Sequence, residues 1–346
     1  MPTGRNVAPL LPTGRFDSPW ESNRPVGIRG PSFRPVEVEV RPPSPFRLPR
    51  GSADRTLRVR GGVATRLLHV SGSPVLVRAW QPARDRVRLR AEAVDPAGVS
   101  RPPIVASPAG DAAGREQLEE GIERMRRALW VDVDLRDFHR RFGRDSLVAP
   151  LIRRMPAFRP KGRPWPWEAL AAAVVGQLIE ADRAALIERR IAGRWGPRLG
   201  DGRDALRDVP GPGAIAGRAP AELEQLDLVG KRAVALRRLA RGVAAGRYRI
   251  ESADGDAHLL AAPQVGPWTV QCLGLFGRNE LDSLPAGDLG YIKLVGRLAG
   301  LGRRATVPEV EEFYAPYAPY RGLVGALTLA GLHRLVAQGA PLRLAA

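Results

Sequence analysis

One aspartate stands out in this 346-residue chain as a side chain placed to do chemistry. A Pro-x-Gly-Asp sequence ending at Asp288 comes directly before a periodic apolar run that starts at Leu289. An aspartate at such a position caps a helix, because its carboxylate accepts hydrogen bonds from the amides of the first turn. Capping alone is a structural role. The same placement also holds an ionised carboxylate at the mouth of a helix, where it can face a cleft.

A second stretch, Pro263 to Thr269, is suited to binding phosphate. A short helix is predicted to end near Ala262, a tight Pro-x-Val-Gly hairpin follows, and Pro267 opens a second helix at a favourable first position. The free N–H groups of that second helix would converge on one point outside the protein, which suits a phosphate of the DNA backbone. An ordinary turn between two helices explains the hairpin alone equally well.

Composition excludes several other kinds of site. Cys272 is the single cysteine, so a disulfide framework, a zinc ribbon and a Cys-ligated iron–sulfur cluster are excluded. The four histidines do not lie at metal-ligand spacing. No export signal is visible, and the longest apolar run, 169–179, is interrupted and too short to span a bilayer. We therefore expect a cytosolic protein without a metal site or a membrane segment.

The charge balance favours a polyanionic partner. The formal net charge is +18 and the pI is about 11.3, which is typical of proteins that bind nucleic acid. Only three of the 54 basic residues are lysines. That skew toward arginine is typical of a genome-wide codon bias, so part of the basicity is compositional.

Three regions of different character follow one another along the chain. Residues 1–50 hold eleven of the 33 prolines and few apolar patterns, which predicts a disordered basic tail. Residues 51–112 are predicted to form a small antiparallel β-rich domain and a linker, and residues 113–346 a helical region. The predicted fold class is α+β and mostly α.

The predicted strands alternate in hydrophobicity and are separated by Gly- and Pro-containing turns: 56–60, 63–70, 74–80 and 86–93. The predicted helices show apolar residues on one face and short connections: 117–129, 135–142, 167–179, 183–191, 220–226, 232–244, 267–276, 289–298, 307–314 and 320–337.

The hairpin and the aspartate together carry a resemblance to a known family. Pro263-x-Val-Gly-x-Trp-Thr followed by Asp282-x-x-Pro285-x-Gly-Asp288 resembles the helix–hairpin–helix DNA glycosylase superfamily, and within it the DNA-3-methyladenine glycosylase II type. The resemblance covers about residues 115–338, with further matching motifs at 165–168, 174–178, 228–236 and 317–322. The β-rich region lies where that family carries a TATA-binding-protein-like sheet.

The resemblance implies a catalytic role for Asp288 and a base pocket formed by Trp268, Cys272 and Leu329. In the family the aspartate stabilises the cationic sugar as an alkylated purine leaves, and it guides a water to C1′. Trp268 occupies the position of the Schiff-base lysine of bifunctional members, which implies a monofunctional hydrolase. Lys293 is an alternative amine, although a solvated or phosphate-facing lysine explains it better.

The resemblance also implies the residues that contact DNA. Leu178 matches the apolar wedge that fills the space left by a flipped nucleotide, with Gln177 beside it; core packing is the alternative explanation for Leu178. Four hairpin residues match those that hold phosphate through backbone amides and a hydroxyl: Gln264, Val265, Gly266 and Thr269.

Three departures from the family pattern keep other functions open. Gln264 replaces the first hairpin glycine, which is tolerable only if that position does not need positive φ or if strain is accepted. Cys272 replaces a pocket tyrosine, and Leu327 and Leu329 stand where a stacking tryptophan is expected. The alternatives are a non-catalytic DNA-damage-binding protein and a bifunctional glycosylase for oxidised purines, the latter disfavoured by the missing lysine.

The resemblance implies double-stranded DNA containing alkylated bases as the partner of a monomeric protein. The expected location is the cytoplasm, at the bacterial nucleoid. No cofactor is expected, and a monovalent cation at the hairpin carbonyls is left open.

Overall fold

A computed structural model describes residues 34–100 and 113–337. Residues 1–33 of the predicted tail, residues 101–112 of the predicted linker and residues 338–346 lie outside the described residues. Among the helices of the described ranges, none is long and apolar enough to cross a membrane.

The first unit is a five-stranded antiparallel sheet with the strand order β1-β5-β4-β3-β2. Its strands are β1 (Val36–Val40), β2 (Arg58–Arg60), β3 (Val63–Val70), β4 (Ser73–Ala83) and β5 (Arg86–Ala93). Gly61 and Gly62 join β2 to β3 with φ values of 53° and 77°. Such a turn of two left-handed residues matches the twist of a hairpin. The four predicted strands are therefore all present.

The predicted boundary of the tail at residue 50 is wrong. Strand β1 lies inside that segment and pairs with β5 along its whole length. Val36, Val40 and Phe46 are buried in the core of the sheet. This segment forms a strand because its sequence alternates as Val-Glu-Val-Glu-Val. The valines bury one face of β1, and the glutamates of the other face pair with arginines of β5. The surrounding prolines masked this short signal.

Helix α1 (Arg115–Leu129) packs on the sheet and covers its core. A Cβ atom at Gly121 would lie 2.9 Å from Val75 Cγ1, so glycine is required where the helix crosses the strand. The first predicted helix therefore belongs with the sheet, and the helical region proper begins after it.

Twelve further α-helices lie within the described ranges. Their bounds are α2 (Arg136–Phe142), α3 (Val148–Arg154), α4 (Pro166–Gly176), α5 (Ala181–Trp195), α6 (Pro212–Ala216), α7 (Pro220–Glu224), α8 (Lys231–Ala244), α9 (Asp256–Leu260), α10 (Pro267–Cys272), α11 (Leu289–Leu298), α12 (Val307–Tyr314) and α13 (Arg321–Ala337). The sequence did not predict α3 or α6. It also did not predict the small sheet of β6 (Val99–Ser100), β7 (Arg198–Leu199) and β8 (Leu206–Arg207).

The helices form two apolar cores, and the chain passes from one to the other near Asp288. Helices α4, α5, α8 and α10 contribute to the first core, and α2, α3, α11, α12 and α13 to the second. A π-helical stretch, Leu273–Gly277, continues α10 and packs against α4. The hairpin before α10 belongs to one core and the helix that follows Asp288 belongs to the other.

Candidate active site

Asp288 caps α11 as the sequence predicted. Its Oδ1 accepts a hydrogen bond of 2.7 Å from the Gly290 amide. Its own amide donates to the Pro285 carbonyl at 2.8 Å, which closes the tight turn. The residue is half-buried. Within the part of the chain that the structure describes, Gly290 is the one hydrogen-bond donor to this carboxylate, so Oδ2 is available to a ligand.

Trp268 lies beside Asp288 and spans the candidate site. A Cβ atom at Gly287 would lie 3.5 Å from Trp268 Cβ, and one at Gly176 would lie 3.6 Å from Trp268 Cη2. The indole therefore reaches from the residue before Asp288 to the last residue of α4. It joins the catalytic candidate to the loop that carries Leu178.

The other two predicted pocket residues also lie next to Asp288. Burial raises the pKa of the Cys272 thiol well above its ordinary value, and the negative charge of nearby Asp288 raises it further. A Cβ atom at Gly290 would lie 3.1 Å from Leu329 Cδ1. Cys272 is thus a neutral, apolar wall, and Leu329 covers the first turn of α11. Leu327, by contrast, is buried in the second core.

Leu178 projects completely out of the protein. It is 103% exposed and its φ is 59°, a left-handed conformation that is costly for a residue with a Cβ atom. It follows the end of α4 by two residues. Core packing, the alternative explanation of this leucine, is therefore excluded.

Gln177 connects the Leu178 loop to the hairpin. Its Nε2 donates to the Gln264 carbonyl at 2.9 Å and to Thr269 Oγ1 at 3.0 Å. Thr269 is almost completely buried. In this structure the threonine hydroxyl therefore accepts from Gln177 rather than facing solvent.

The hairpin adopts the backbone that the family pattern assigns to glycine. Gln264 has a φ of 70°, so the strain anticipated from the sequence is accepted. The Val265 amide donates to the Ala262 carbonyl at 3.1 Å and closes the turn, and the Val265 side chain is buried. The amides of Gln264 and Gly266 have no hydrogen-bond partner among the described residues. These two amides are therefore available to bind an anion.

No protein-family profile matches the chain. A curated relative from Bacillus subtilis, named DNA-3-methyladenine glycosylase, is 23% identical over 209 residues, which is 59% of this chain and 69% of the relative. Among solved structures, a 3-methyladenine DNA glycosylase from Archaeoglobus fulgidus matches with a TM-score of 0.68 and 17% identity, covering 86% of this chain and 98% of that one. The chain has the fold of the helix–hairpin–helix DNA glycosylases.

A Clostridium acetobutylicum 8-oxoguanine glycosylase/lyase has the same fold, with a TM-score of 0.61 and 13% identity over 88% of this chain and 99% of that one. The resemblance inferred from the motifs is thus confirmed at the level of the fold. Both the helical region and the small antiparallel sheet are part of it.

Two contacts of the candidate site were not predicted from the sequence. Arg232, at the start of α8, donates from Nη1 to the Val175 carbonyl at 2.8 Å. Lys293 lies 3.6 Å from Glu180 Oε1, between α11 and the Leu178 loop. The signal available for Arg232 was its place in the motif at 228–236, but its target is a backbone carbonyl, which no side-chain pattern reveals.

The described residues hold no cluster of three His, Cys, Asp or Glu side chains that could bind a metal ion.

Proposed function

We propose that this chain is a DNA glycosylase that hydrolyses the N-glycosidic bond of alkylated purines in duplex DNA. One observation carries the proposal: Trp268 extends from the segment that holds Asp288 to the end of the helix before the fully exposed Leu178, so close to Gly287 and Gly176 that a Cβ atom at either would contact it. A carboxylate, an aromatic wall and an apolar projection are the parts that extrusion and hydrolysis of a nucleotide require.

The chemistry follows from the carboxylate. An alkylated purine carries positive charge, so it leaves with the bonding electrons of the glycosidic bond, and the sugar becomes cationic. Asp288 stabilises that charge through the oxygen that does not cap α11. A water held at the carboxylate then forms a bond to C1′ and gives its proton to Asp288, which leaves an abasic site, the neutral free base and a proton that Asp288 releases to solvent. No step requires a cofactor.

The proposed enzyme is monofunctional. A lyase step needs an amine that forms a Schiff base with C1′, and Trp268 stands where bifunctional relatives carry that lysine. Lys293 is the lysine of α11, and it lies within ion-pair distance of Glu180. We expect it to remain a surface charge.

DNA is bound by the hairpin and opened by Leu178. The amides of Gln264 and Gly266 have no partner in the described residues and suit a backbone phosphate. Extruding a nucleotide costs on the order of a few kcal/mol. Leu178 offsets part of this cost by stacking in the space that the nucleotide leaves.

The preference for alkylated purines rests on three points. The Bacillus subtilis relative is named for 3-methyladenine. The face of Trp268 attracts a cationic base through its π-electrons. Cys272 and Leu329 offer no charged group that a cationic base could pair with, so binding depends on the indole and on shape.

Base release from methylated duplex DNA tests the proposal. We expect wild-type protein to release 3-methyladenine or 7-methylguanine, and we expect Asp288→Asn to reduce the rate by about 100-fold or more. Asparagine still caps a helix, so the thermal unfolding midpoint should stay unchanged and exclude misfolding as the cause.

The same experiment separates the alternatives. Salt-dependent DNA binding without base release from alkylated, deaminated or oxidised duplexes would contradict the proposal and favour a damage-binding protein. A covalent protein–DNA adduct trapped by borohydride would contradict the monofunctional assignment.

A further inference from the structure

The loop that presents Leu178 is held in a conformation that it would not adopt alone. A left-handed backbone costs about 1–2 kcal/mol for a residue with a Cβ atom, and Leu178 has a φ of 59°. It also exposes its whole side chain. Such strain persists only where surrounding contacts fix the backbone.

Arg232 supplies one of those contacts from a different helix. The Val174 and Gly176 carbonyls at the end of α4 accept hydrogen bonds from the Gln177 and Ile179 amides at 3.4 and 3.3 Å, whereas the Val175 carbonyl has no backbone donor among the described residues. The last turn of α4 contains no basic residue. Arg232 Nη1 donates to the Val175 carbonyl at 2.8 Å and reaches the Gln177 carbonyl at 3.5 Å. A guanidinium thus caps the end of α4 immediately before Leu178.

Gln177 supplies the second contact, on the side of the hairpin. Its amide nitrogen donates to Gln264 and Thr269. The Val175 carbonyl, two residues before Gln177, and the side chain of Gln177 are therefore held by two different elements, α8 and the hairpin. Leu178 is the next residue, so its orientation depends on both.

We propose that Arg232 is a positioning residue for nucleotide extrusion: it fixes the end of α4 so that Leu178 enters the duplex already oriented. This inference rests on the proposed function. Without the guanidinium, the carbonyls at the end of α4 lose a charge-assisted hydrogen bond, and the strained loop relaxes to other conformations. Opening of a base pair slows, whereas hydrolysis of a nucleotide that is already unpaired does not.

Two substrates distinguish positioning from a general loss of structure. Arg232→Met is assayed on a lesion in a fully paired duplex and on the same lesion opposite an abasic-site analogue, where no pairing has to be broken. We expect a loss of about tenfold or more on the paired duplex, the size expected for one hydrogen bond to a charged group. On the unpaired lesion we expect a rate close to wild type.

Arg238→Met is the matched control. Arg238 is exposed on the same helix, so the variant removes the same charge and should keep the wild-type ratio between the two substrates. If Arg232→Met slows both substrates equally, or if Arg238→Met gives the same ratio, the positioning role is wrong.

A double mutant tests whether Arg232 acts through Leu178. Residues that act as one unit give non-additive effects. Leu178→Ala should therefore slow the paired substrate in the wild-type background and add little in the Arg232→Met background. Fully additive losses would contradict the proposal.

A readout without catalysis separates this inference from the proposed function. In the Asp288→Asn background, the fluorescence of 2-aminopurine in a bound duplex reports unstacking. If that variant binds DNA without unstacking a base, the proposed extrusion fails. If unstacking occurs and is unchanged by adding Arg232→Met, extrusion stands and the role of Arg232 is overturned.

Discussion

Two residues in left-handed backbone, Leu178 and Gln264, frame the candidate site. Their φ values are 59° and 70°, and both lie where glycine would fold more readily. Leu178 uses its side chain, which projects into solvent. Gln264 is held through its carbonyl, which accepts from Gln177. At these two positions the strained backbone lies where the protein is proposed to contact DNA, as is common at functional sites. Five other non-glycine residues of the described ranges also have positive φ, namely Arg55, Ser71, Trp130, Asp227 and Asn279.

The strain at Gln264 can be measured. Gln264→Gly should raise the free energy of unfolding by about 0.5–1 kcal/mol, since glycine adopts positive φ at no steric cost. Gln225→Gly is the control: Gln225 is exposed with a φ of −59°, so the same change should destabilise. Chemical denaturation measures both variants. A destabilised Gln264→Gly protein would show that the glutamine side chain contributes more than its backbone strain costs.

At the scale of elements, a buried ionic cluster joins the sheet to the helix that carries the Leu178 loop. Arg66 of β3 donates to both carboxylate oxygens of Glu168 in α4, at 2.6 and 2.7 Å. Arg163 contacts Asp54, Glu168 and Glu188 of α5. Three carboxylates thus face two guanidiniums; Arg66, Glu168 and Asp54 are buried, and Arg163 and Glu188 are partly exposed.

The burial of these carboxylates makes the stability of the protein depend on pH. Burial raises the pKa of Glu188 above its ordinary value of 4.5, even though Arg163 opposes the shift. Burial likewise raises the pKa of Glu168, against the charges of Arg66 and Arg163. Asp54 behaves oppositely: burial disfavours its ionisation, but Arg163 and Arg66 outweigh burial and hold its pKa well below the ordinary range.

The Glu188→Gln variant measures the contribution of Glu188 to the pH dependence of stability. The folded state binds the Glu188 proton more tightly than the unfolded state, so stability falls as pH rises from about 4.5 through the raised pKa. Glutamine cannot ionise. The stability of Glu188→Gln relative to wild type should therefore increase with pH and then level off.

Denaturation curves from pH 4 to pH 8 test this, with the exposed Glu312→Gln as a control that should follow wild type. A pH-independent difference between Glu188→Gln and wild type would contradict the expected shift.

At the scale of the molecule, the sheet is completed by a strand from the segment that resembled a tail. Strand β1 covers β5, whose edge would otherwise expose unpaired N–H and C=O groups. Its acids also pair with arginines of β5, as Glu39 does with Arg88 at 2.9 Å. The unit that packs beside the helical cores therefore includes the residues from Val36 onward.

A pair of truncated chains tests this boundary. A chain starting at residue 51 lacks β1 and Phe46 and loses the burial of Val36, Val40 and Phe46. We expect its free energy of unfolding to be about 5 kcal/mol lower than that of a chain starting at residue 34, because each buried side chain contributes about 1.5–3 kcal/mol. It should also aggregate through the exposed β5 edge. Equal unfolding free energies would show that β1 contributes nothing to the fold.

The sequence by itself determined the elements whose signals are local. The bounds 63–70, 86–93, 289–298 and 307–314 were predicted to the residue, because alternation, helical periodicity and capping residues depend on near neighbours along the chain. The Asp288 cap and the hairpin were predicted for the same reason. Five alternating residues among many prolines gave too weak a signal, and β1 was missed.

Only the tertiary structure decided what surrounds Asp288 and how Leu178 is held. The close approach of Trp268 to Gly176 and Gly287, and the hydrogen bond from Arg232 to Val175, bring together residues that are far apart in sequence. Their partners are backbone atoms, which every residue possesses, so no side-chain pattern encodes them. The strain at Gln264 was likewise decided by the tertiary structure. Glutamine disfavours positive φ, and the closed hairpin imposes it.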